Sequence, residues 1–218
     1  MTLANDSATL GTGDVIATHT QGAKEHQVVM IADDSGHLVT TKPAYTLWIP
    51  GQVAAASKLF ADLFNATGSG KLIEIYGVWA IPKSDTAVAP TVAVPVGLFR
   101  TSTVGATANA TAGYNTGSVL TAPVITPVDT NNAALPAQIT ARMGPTTGAT
   151  IAAPWWENYV FAEETNAAAY LSALINLLPS IPNSQPWTLR EGQGMLIKEG
   201  STSTPIGTLA FLVHFKVF

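Results

Sequence analysis

The sequence predicts an all-β protein, built as an antiparallel sandwich or barrel, and three observations support this fold class. Roughly seven or eight short segments alternate between apolar and polar residues, as strands with one buried face do. Turns rich in glycine and proline separate them, and the chain holds 18 Gly and 14 Pro. Only one segment is assigned to a helix, so strands dominate the chain.

The composition favours a protein that works by contact with other proteins. Only 11% of the 218 residues are charged, whereas globular domains usually have about 25%. Small neutral side chains, mostly alanine and threonine, take the place of the missing charges. Little charge has to be desolvated when two such surfaces meet, so we expect assembly.

Charge, hydropathy and cysteine content exclude several other classes. Ten basic residues stand against fourteen acidic ones, for a net charge of −4, and no basic run is present, which argues against nucleic-acid binding. No apolar stretch approaches the roughly 20 residues of a membrane span, and the first residues lack a signal pattern. The absence of cysteine removes disulfides and thiolate sites. We therefore expect synthesis in the cytoplasm and no membrane partner.

Residues 1–40 are predicted to form an N-terminal arm, and residues 41–218 the body. The arm is polar and broken by glycines, and its first strand candidate is Gln27–Ile31. A segment that buries little of its own surface stays mobile unless a neighbour covers it. The arm is therefore expected to pair with another chain, and its candidate contact residues are Val28, Val29 and Ile31.

The first strands of the body are predicted from alternation. Tyr45–Ile49 begins the body after Pro43, and Lys71–Ile81 alternates along its whole length. In that second strand Ile73, Ile75, Gly77, Trp79 and Ile81 share one predicted face. Ser57–Asn65 also fits a helical stripe, but the Thr67–Gly70 turn favours a strand and a hairpin with the next one.

The middle of the chain is predicted to contain one long strand and a long excursion. Val92–Thr103 alternates, but Pro95 cannot donate a ladder hydrogen bond, which places this strand at an edge or a bulge. Residues 103–136 form an excursion too long for an ordinary connection. Further short strands are expected within and after it, at Ser118–Leu120, Val124–Thr126, Gln138–Met143 and Asn158–Glu163.

The last third is predicted to contain one short helix followed by the closing strands. Apolar residues recur at helical spacing in Asn166–Leu178, and Pro179 ends the segment. The final strand, Gly207–Phe218, carries five large apolar side chains on one face and His214 on the other. Before it come the predicted strands Trp187–Arg190 and Met195–Lys198.

Four stretches together resemble virion structural proteins of tailed bacteriophages. They are GTGDVIATHTQGAKEHQVVMIADDSG, LFNATGSGKLIEIYGVWAI, DTNNAALPAQITARMGPTTGAT and LREGQGMLIKEGSTSTPIGTLAFLVHFKV. The resemblance implies a jelly-roll-like β-sandwich in which LREGQG is the turn before a pair of strands. Proteins of this class decorate capsids, cement capsomers, or form parts of tails and collars. The helical segment Asn166–Leu178 departs from the pattern.

No residue pattern predicts catalysis, a metal site or a cofactor. The four histidines are His19, His26, His37 and His214, and no two have metal-site spacing. Neighbouring acids in a strand point to opposite faces, so neither Asp33-Asp34 nor Glu163-Glu164 forms an acid/base pair. Gly68–Lys71 resembles the end of a phosphate loop but lacks the upstream glycine and the following hydroxyl. We expect a protein that is not an enzyme.

The densest aromatic cluster follows Pro154 and includes Trp155, Trp156 and Tyr159. These rings are candidates for the core, for an interface with a partner chain, or for stacking on a sugar. Because basic residues are absent nearby, nucleotide stacking is the weaker possibility.

The resemblance, together with the composition, implies a virion structural protein that acts as a capsid decoration or cement protein. We expect it to form a homo-oligomer, with a trimer favoured over a dimer, and to bind the major capsid protein or another virion protein. The expected location is the exterior of the capsid. The alternative is a tail, collar or fibre component that binds a host-surface glycan.

Overall fold

The computed structural model describes residues 16–21, 24–29, 42–82, 92–106, 123–129, 135–146, 150–162, 175–178, 186–200 and 207–218. The chain divides into two compact units, Met1–Lys42 and Pro43–Phe218. In the first unit, β1 (Ile16–Gln21) and β2 (Lys24–Val29) pair antiparallel, with Ile16 opposite Val29. A two-stranded sheet is at best marginally stable alone.

The second unit contains the remaining strands, which form two antiparallel sheets. They are β3 (Ala44–Val53), β4 (Leu59–Asn65), β5 (Ile73–Pro82), β6 (Val92–Thr101), β7 (Val124–Pro127), β8 (Ile139–Met143), β9 (Thr150–Ala162), β10 (Ile175–Asn176), β11 (Trp187–Leu189), β12 (Gln193–Glu199) and β13 (Thr208–Val217). The first sheet has the order β10-β5-β13-β3-β7, with β11 also paired to β5. The second has the order β8-β4-β12-β6-β9.

The strand pairing is that of a jelly roll. Setting aside β7, β8 and β11, eight strands remain, and they pair from the outside of the chain inward: β3 with β13, β4 with β12, β5 with β10, and β6 with β9. This pattern arises when one long antiparallel hairpin is rolled into two packed sheets. The predicted all-β, jelly-roll-like sandwich is confirmed, and β7 and β8 each extend one sheet at its edge.

The core lies between the two sheets. The rings of Phe60 in β4 and Phe211 in β13 meet across it at 5.1 Å, and both side chains are fully buried. The predicted inner face of the last strand is confirmed, because its five large apolar side chains are all buried while His214 is exposed. Those five are Leu209, Phe211, Val213, Phe215 and Val217.

The predicted faces of β5 are correct only for its first half. Ile73 and Ile75 are buried, but beyond them Val78 and Ala80 face inward, not Trp79. The register explains the change, since His214 and Phe215 of β13 lie opposite Gly77 and Ile75, which leaves Tyr76 as an extra residue. A bulge of one residue reverses the alternation that follows it.

The turn between β4 and β5 does not form the predicted hairpin. The strand Leu59–Asn65 is present, but its partners are β8 and β12, whereas β5 lies in the other sheet. The turn therefore passes from one sheet to the other. Glu191 holds it, because its carboxylate accepts hydrogen bonds from the N–H groups of Gly68 and Gly70.

Pro95 lies neither in an edge strand nor at a bulge, the two predicted settings, because β6 pairs on both sides and its register with β9 is regular from Val92 to Leu98. β12 ends at Glu199, opposite Val96, and the next residue, Gly200, donates its N–H to the Pro95 carbonyl. The position at which another residue would carry an N–H thus lies beyond the end of β12. The lack of this donor in Pro95 therefore removes no hydrogen bond from the β6–β12 ladder. The proline is tolerated in an inner strand for that reason.

The helix predicted for Asn166–Leu178 is wrong over its last four residues. Ile175–Asn176 is β10 and pairs with β5, while residues 166–174 lie outside the described part. Tertiary pairing overrides the helical spacing here. Within the excursion Val124–Pro127 is a strand, and the candidate Ser118–Leu120 lies outside the described residues; after the excursion, Ile139–Met143 is a strand as predicted.

The base of the excursion is held by a buried carboxylate. Asp62 in β4 is 3% exposed, accepts a hydrogen bond from the Gly105 N–H at 2.7 Å, and lies 3.7 Å from Arg142 Nη1. Nearby, Thr146 donates both its N–H and its hydroxyl to the Ala106 carbonyl. Burial raises the pKa of Asp62, and the Gly105 N–H and Arg142 only partly oppose this.

The raised pKa of Asp62 predicts a pH-dependent stability that Asp62→Asn removes. The folded chain holds the Asp62 proton more tightly than the unfolded chain, so its contribution to stability is lost as pH rises through the folded pKa. Between the unfolded pKa and the raised folded pKa of Asp62, the wild type loses stability as pH rises, whereas the Asp62→Asn variant has no such proton to lose. The free energy of unfolding of the variant should therefore rise relative to that of the wild type over this range. Urea unfolding between about pH 3 and pH 8 measures the difference. A difference that is constant with pH would contradict the assignment.

Candidate interaction surface

The outer face of the first sheet carries an aromatic patch. Trp48, Leu212 and Trp79 form a row across β3, β13 and β5, and each is half-buried. His214 meets Trp79 edge to face at 5.1 Å, and Tyr76, 49% exposed, stands out at the bulge. We call these five residues the outer patch.

The bulge in β5 and a missing side chain position the outer patch. Gly77 leaves room for the indole of Trp79, since a Cβ there would lie 2.0 Å from Trp79 Cη2. Tyr76 donates its hydroxyl to Glu74 at 2.6 Å, and Lys216 Nζ lies 4.8 Å from the Tyr76 ring centroid. The hydrogen bond to Glu74 is the main cause that raises the pKa of Tyr76 to about 12, so the phenol stays neutral.

The aromatic cluster on β9 is exposed and is not part of the core. Trp155 is 42% exposed, Trp156 39% and Tyr159 54%. β9 pairs only with β6 among the described strands, so it forms an edge of the second sheet. We call these three residues the β9 rim. Exposed aromatic side chains on an edge strand are suited to contact with another molecule.

Trp155 connects the edges of the two sheets. Its ring stacks on Trp187 of β11 with centroids 4.6 Å apart and an interplanar angle of 15°. Arg100 of β6 lies on the same indole, with Cζ 5.4 Å from the centroid. Arg100 Nη1 donates to the Thr188 carbonyl at 2.8 Å and to Gln193 Oε1 at 3.3 Å.

The contact residues predicted in the arm are only partly located. Val28 and Val29 lie in β2, opposite Ala17 and Ile16, and Ile31 lies outside the described residues. Of the histidines, His19 and His26 are partners in the β1–β2 register, and His214 belongs to the outer patch. His37 and the pairs Asp33-Asp34 and Glu163-Glu164 lie outside the described residues.

The titratable residues of the described ranges do not converge on a metal site, because these ranges contain no group of three or more His, Asp or Glu residues that could hold an ion. They also contain no helix that is long and apolar enough to cross a membrane. The chemistry that the described surfaces offer is aromatic contact beside cations, with Lys216 at Tyr76 and Arg100 at Trp187.

Several residues of these surfaces are not found from the sequence. The alternation puts Trp79 on the same face as Ile73 and Ile75, although a glycine inside a strand, here Gly77, is a known sign of a bulge. Arg100 has a weaker signal, as the single cation in an otherwise apolar strand. Trp187 is predicted only as part of a strand, because its contact with Trp155 joins positions 32 residues apart.

Known proteins give no guide to the use of these surfaces. Comparison of the chain with protein families, curated proteins and solved structures found no match. The resemblance to bacteriophage virion proteins thus rests on the sequence patterns alone, and any function has to be argued from the surfaces described above.

Proposed function

We propose that this protein is a structural protein of a tailed bacteriophage virion that decorates or cements the capsid shell through protein contacts. The observation that carries the proposal is the outer patch. Antiparallel sheets with one solvated face usually place polar side chains there, but this sheet presents three aromatic rings, a leucine and a histidine. A contiguous apolar surface of this kind marks a contact site.

Composition and fold support the same proposal. With 11% charged residues, the surface loses little hydration when it docks on another protein. Jelly rolls recur in viral capsid proteins, and also in lectins, so the fold is compatible with the proposal without deciding it. In this role the chain is not an enzyme.

The proposed mechanism is mechanical. A rigid sandwich lies across the seam between shell subunits on the capsid exterior, and residues 1–40 reach a neighbouring chain by strand addition. A single contact of about 800 Å² per partner can be weak. Several contacts in a homo-oligomer, with a trimer favoured, act together at an effective concentration in the millimolar range, so avidity retains the assembly.

Sedimentation velocity on Leu212→Lys tests the proposal. Leu212 lies in the middle of the outer patch, and its side chain faces away from the core. The full chain should sediment as a trimer, and a lysine at this position should weaken association by about tenfold or more, because a charge would be desolvated at the contact. Val104→Lys is the matched control, since Val104 is exposed on a loop that follows β6.

A second variant separates the arm from the patch. Deletion of residues 1–40 should leave the cooperative unfolding of the body intact. Combined with Leu212→Lys, the deletion should weaken association more than Leu212→Lys does by itself. A wild-type chain that is monomeric at high micromolar concentration would overturn the proposed assembly. Equal losses from Leu212→Lys and Val104→Lys would show that general charge, and not the outer patch, is responsible.

A further inference from the structure

β9 is a long edge strand with one open side. It runs over Thr150–Ala162 and pairs only with β6 among the described strands. The pairing is regular from Trp156, opposite Leu98, to Ala162, opposite Val92. From Trp156 to Ala162 the strand is largely apolar and carries a single charge, a composition that favours the addition of a further strand. An edge of this kind needs protection against association with other chains.

Pro95 shows which backbone groups of β9 face the open side. The Pro95 carbonyl accepts the N–H of Gly200, so the backbone of Pro95 is directed toward β12 and away from β9. In an antiparallel pair, two opposite residues that exchange no hydrogen bonds direct their N–H and C=O groups away from each other. Tyr159 lies opposite Pro95, so its N–H and C=O point to the open side. Glu157 and Phe161, two positions away on either side, have the same orientation.

Asn158 already uses the middle donor of this open side. Its Oδ1 accepts a hydrogen bond from the N–H of Tyr159 at 2.8 Å. A strand that pairs with more than one of the three open positions has to use the Tyr159 N–H, because Tyr159 lies between the other two. The Asn158 side chain therefore competes directly with any added strand. We call this hydrogen bond the Asn158 cap.

The other end of the same amide is held by the first sheet. Asn158 Nδ2 donates to the Asn176 carbonyl of β10 at 3.3 Å. β10 is fixed in turn, since the Asn176 side chain accepts the N–H of Leu178, and Leu177 donates its N–H to the Val78 carbonyl at 2.7 Å. Both ends of the Asn158 amide are thus engaged, so the side chain is oriented toward the Tyr159 N–H before any strand arrives.

A bulge and a proline protect the first half of β9. Its residues 152–155 stand opposite a single residue of β6, Phe99, so regular pairing stops at Trp156. Pro154 lies within this bulge and has no N–H to donate. Bulges and prolines are common devices against pairing at a sheet edge. The regular stretch that follows, residues 156–162, has no proline, and there the Asn158 cap takes over the same task.

We infer that Asn158 is a gatekeeper that keeps β9 from pairing with the β9 strand of a second copy of this chain. Antiparallel pairing about a twofold axis at Tyr159 would place Glu157 opposite Phe161, so no like charges would meet. The two Tyr159 rings, each exposed in the single chain, would become cross-strand neighbours. The strands β1 and β2 are less suited to this edge, because they already pair with each other.

With the Asn158 cap in place, the β9 rim contacts other molecules through its side chains and not through its backbone. The gatekeeper thus separates the contacts that exposed aromatic rings can make from uncontrolled strand addition. The inference does not depend on the proposed capsid role, because it concerns an edge of the single chain and not the outer patch.

Sedimentation velocity on Asn158→Ala tests the inference. The full chain that carries Leu212→Lys is the reference and the background for every variant, so that association through the outer patch contributes little. Loss of the Asn158 cap frees the Tyr159 N–H in both copies, so Asn158→Ala should self-associate at least about tenfold more tightly than the reference. Hydrogen exchange should show new protection of the amides of residues 157–161 as the variant associates.

Asn176→Ala is the matched control. It makes the same chemical change at the edge of the first sheet, but it leaves both the Asn158 cap and the backbone carbonyl to which Asn158 donates. It should therefore associate no more than the reference. Equal association of Asn158→Ala and Asn176→Ala would show that a loosened edge, and not the freed N–H of Tyr159, is responsible, and would overturn the inference.

Asn158→Asp separates the cap from the contact with β10. A carboxylate still accepts the Tyr159 N–H but cannot donate to the Asn176 carbonyl. At about 0.5 M salt, where the added charge is screened, this variant should stay at the level of the reference. Association equal to that of Asn158→Ala would contradict the role of the cap. Asn158→Val, which also lacks the acceptor, replaces Asn158→Ala if thermal unfolding shows that the alanine variant is not folded.

Two further results would overturn the inference. One is an Asn158→Ala chain that associates no more than the reference, and the other is new protection that lies outside residues 157–161. Deletion of residues 1–40 from the Asn158→Ala chain should leave its association unchanged. Loss of association on this deletion would make the arm of the second copy the occupant of the edge in place of β9, which also contradicts the inference.

Discussion

Replacing Phe211 by alanine is expected to lower the free energy of unfolding by about 3–5 kcal/mol, the usual cost of emptying a buried phenylalanine site. Phe211 is fully buried in the central strand of the first sheet, between Ile49 and Ala80 in the register, and its ring contacts Phe60 of the opposite sheet. The core side chains around Phe211 are anchored on paired strands and can move little into the vacated space, so most of the cavity would remain.

Urea unfolding measures this loss, with Leu212→Ala as the matched control. Leu212 is the next residue along the same strand, but its side chain lies on the outer face and is only half-buried. Since the cost follows the apolar area buried, the control should lose less than half as much. Equal losses from the two variants would mean that the assignment of the inner and outer faces of β13 is incorrect.

Gly194→Ala is expected to lower the free energy of unfolding by about 1–3 kcal/mol, the range for overpacking. A Cβ at this position would lie 2.5 Å from Thr101 Oγ1, 2.6 Å from Phe64 Cδ2 and 3.0 Å from the Leu63 carbonyl oxygen. These three residues belong to the strands on either side of β12. All are buried, so none can move away without disturbing the sheet.

Gly200→Ala is the control for this steric effect. A Cβ there would also be close to another atom, at 2.7 Å, but that atom is the end of the exposed, flexible Glu157 side chain. The carboxylate can rotate away, so the midpoint of urea unfolding should change little. A smaller loss at Gly194 than at Gly200 would show that the packing around β12 is looser than described.

The candidate surfaces can be predicted only in part from the sequence. The dense cluster of Trp155, Trp156 and Tyr159 is a possible contact surface on sequence grounds, and the structure exposes all three rings. Its extension to Arg100 and Trp187 cannot be predicted, because that grouping depends on the contact between β9 and β11. The outer patch escapes prediction for a different reason: the bulge at Tyr76 inverts the predicted faces after it.

The sequence by itself determined the all-β class, most of the strand positions and the buried face of β13. These follow from alternation and from turn residues, which are local properties of neighbouring positions. Only the tertiary structure decided which strands pair, where the bulges lie and what became of the segment that ends in β10. Those features depend on contacts between distant parts of the chain, where one extra residue or one available sheet edge outweighs local preference.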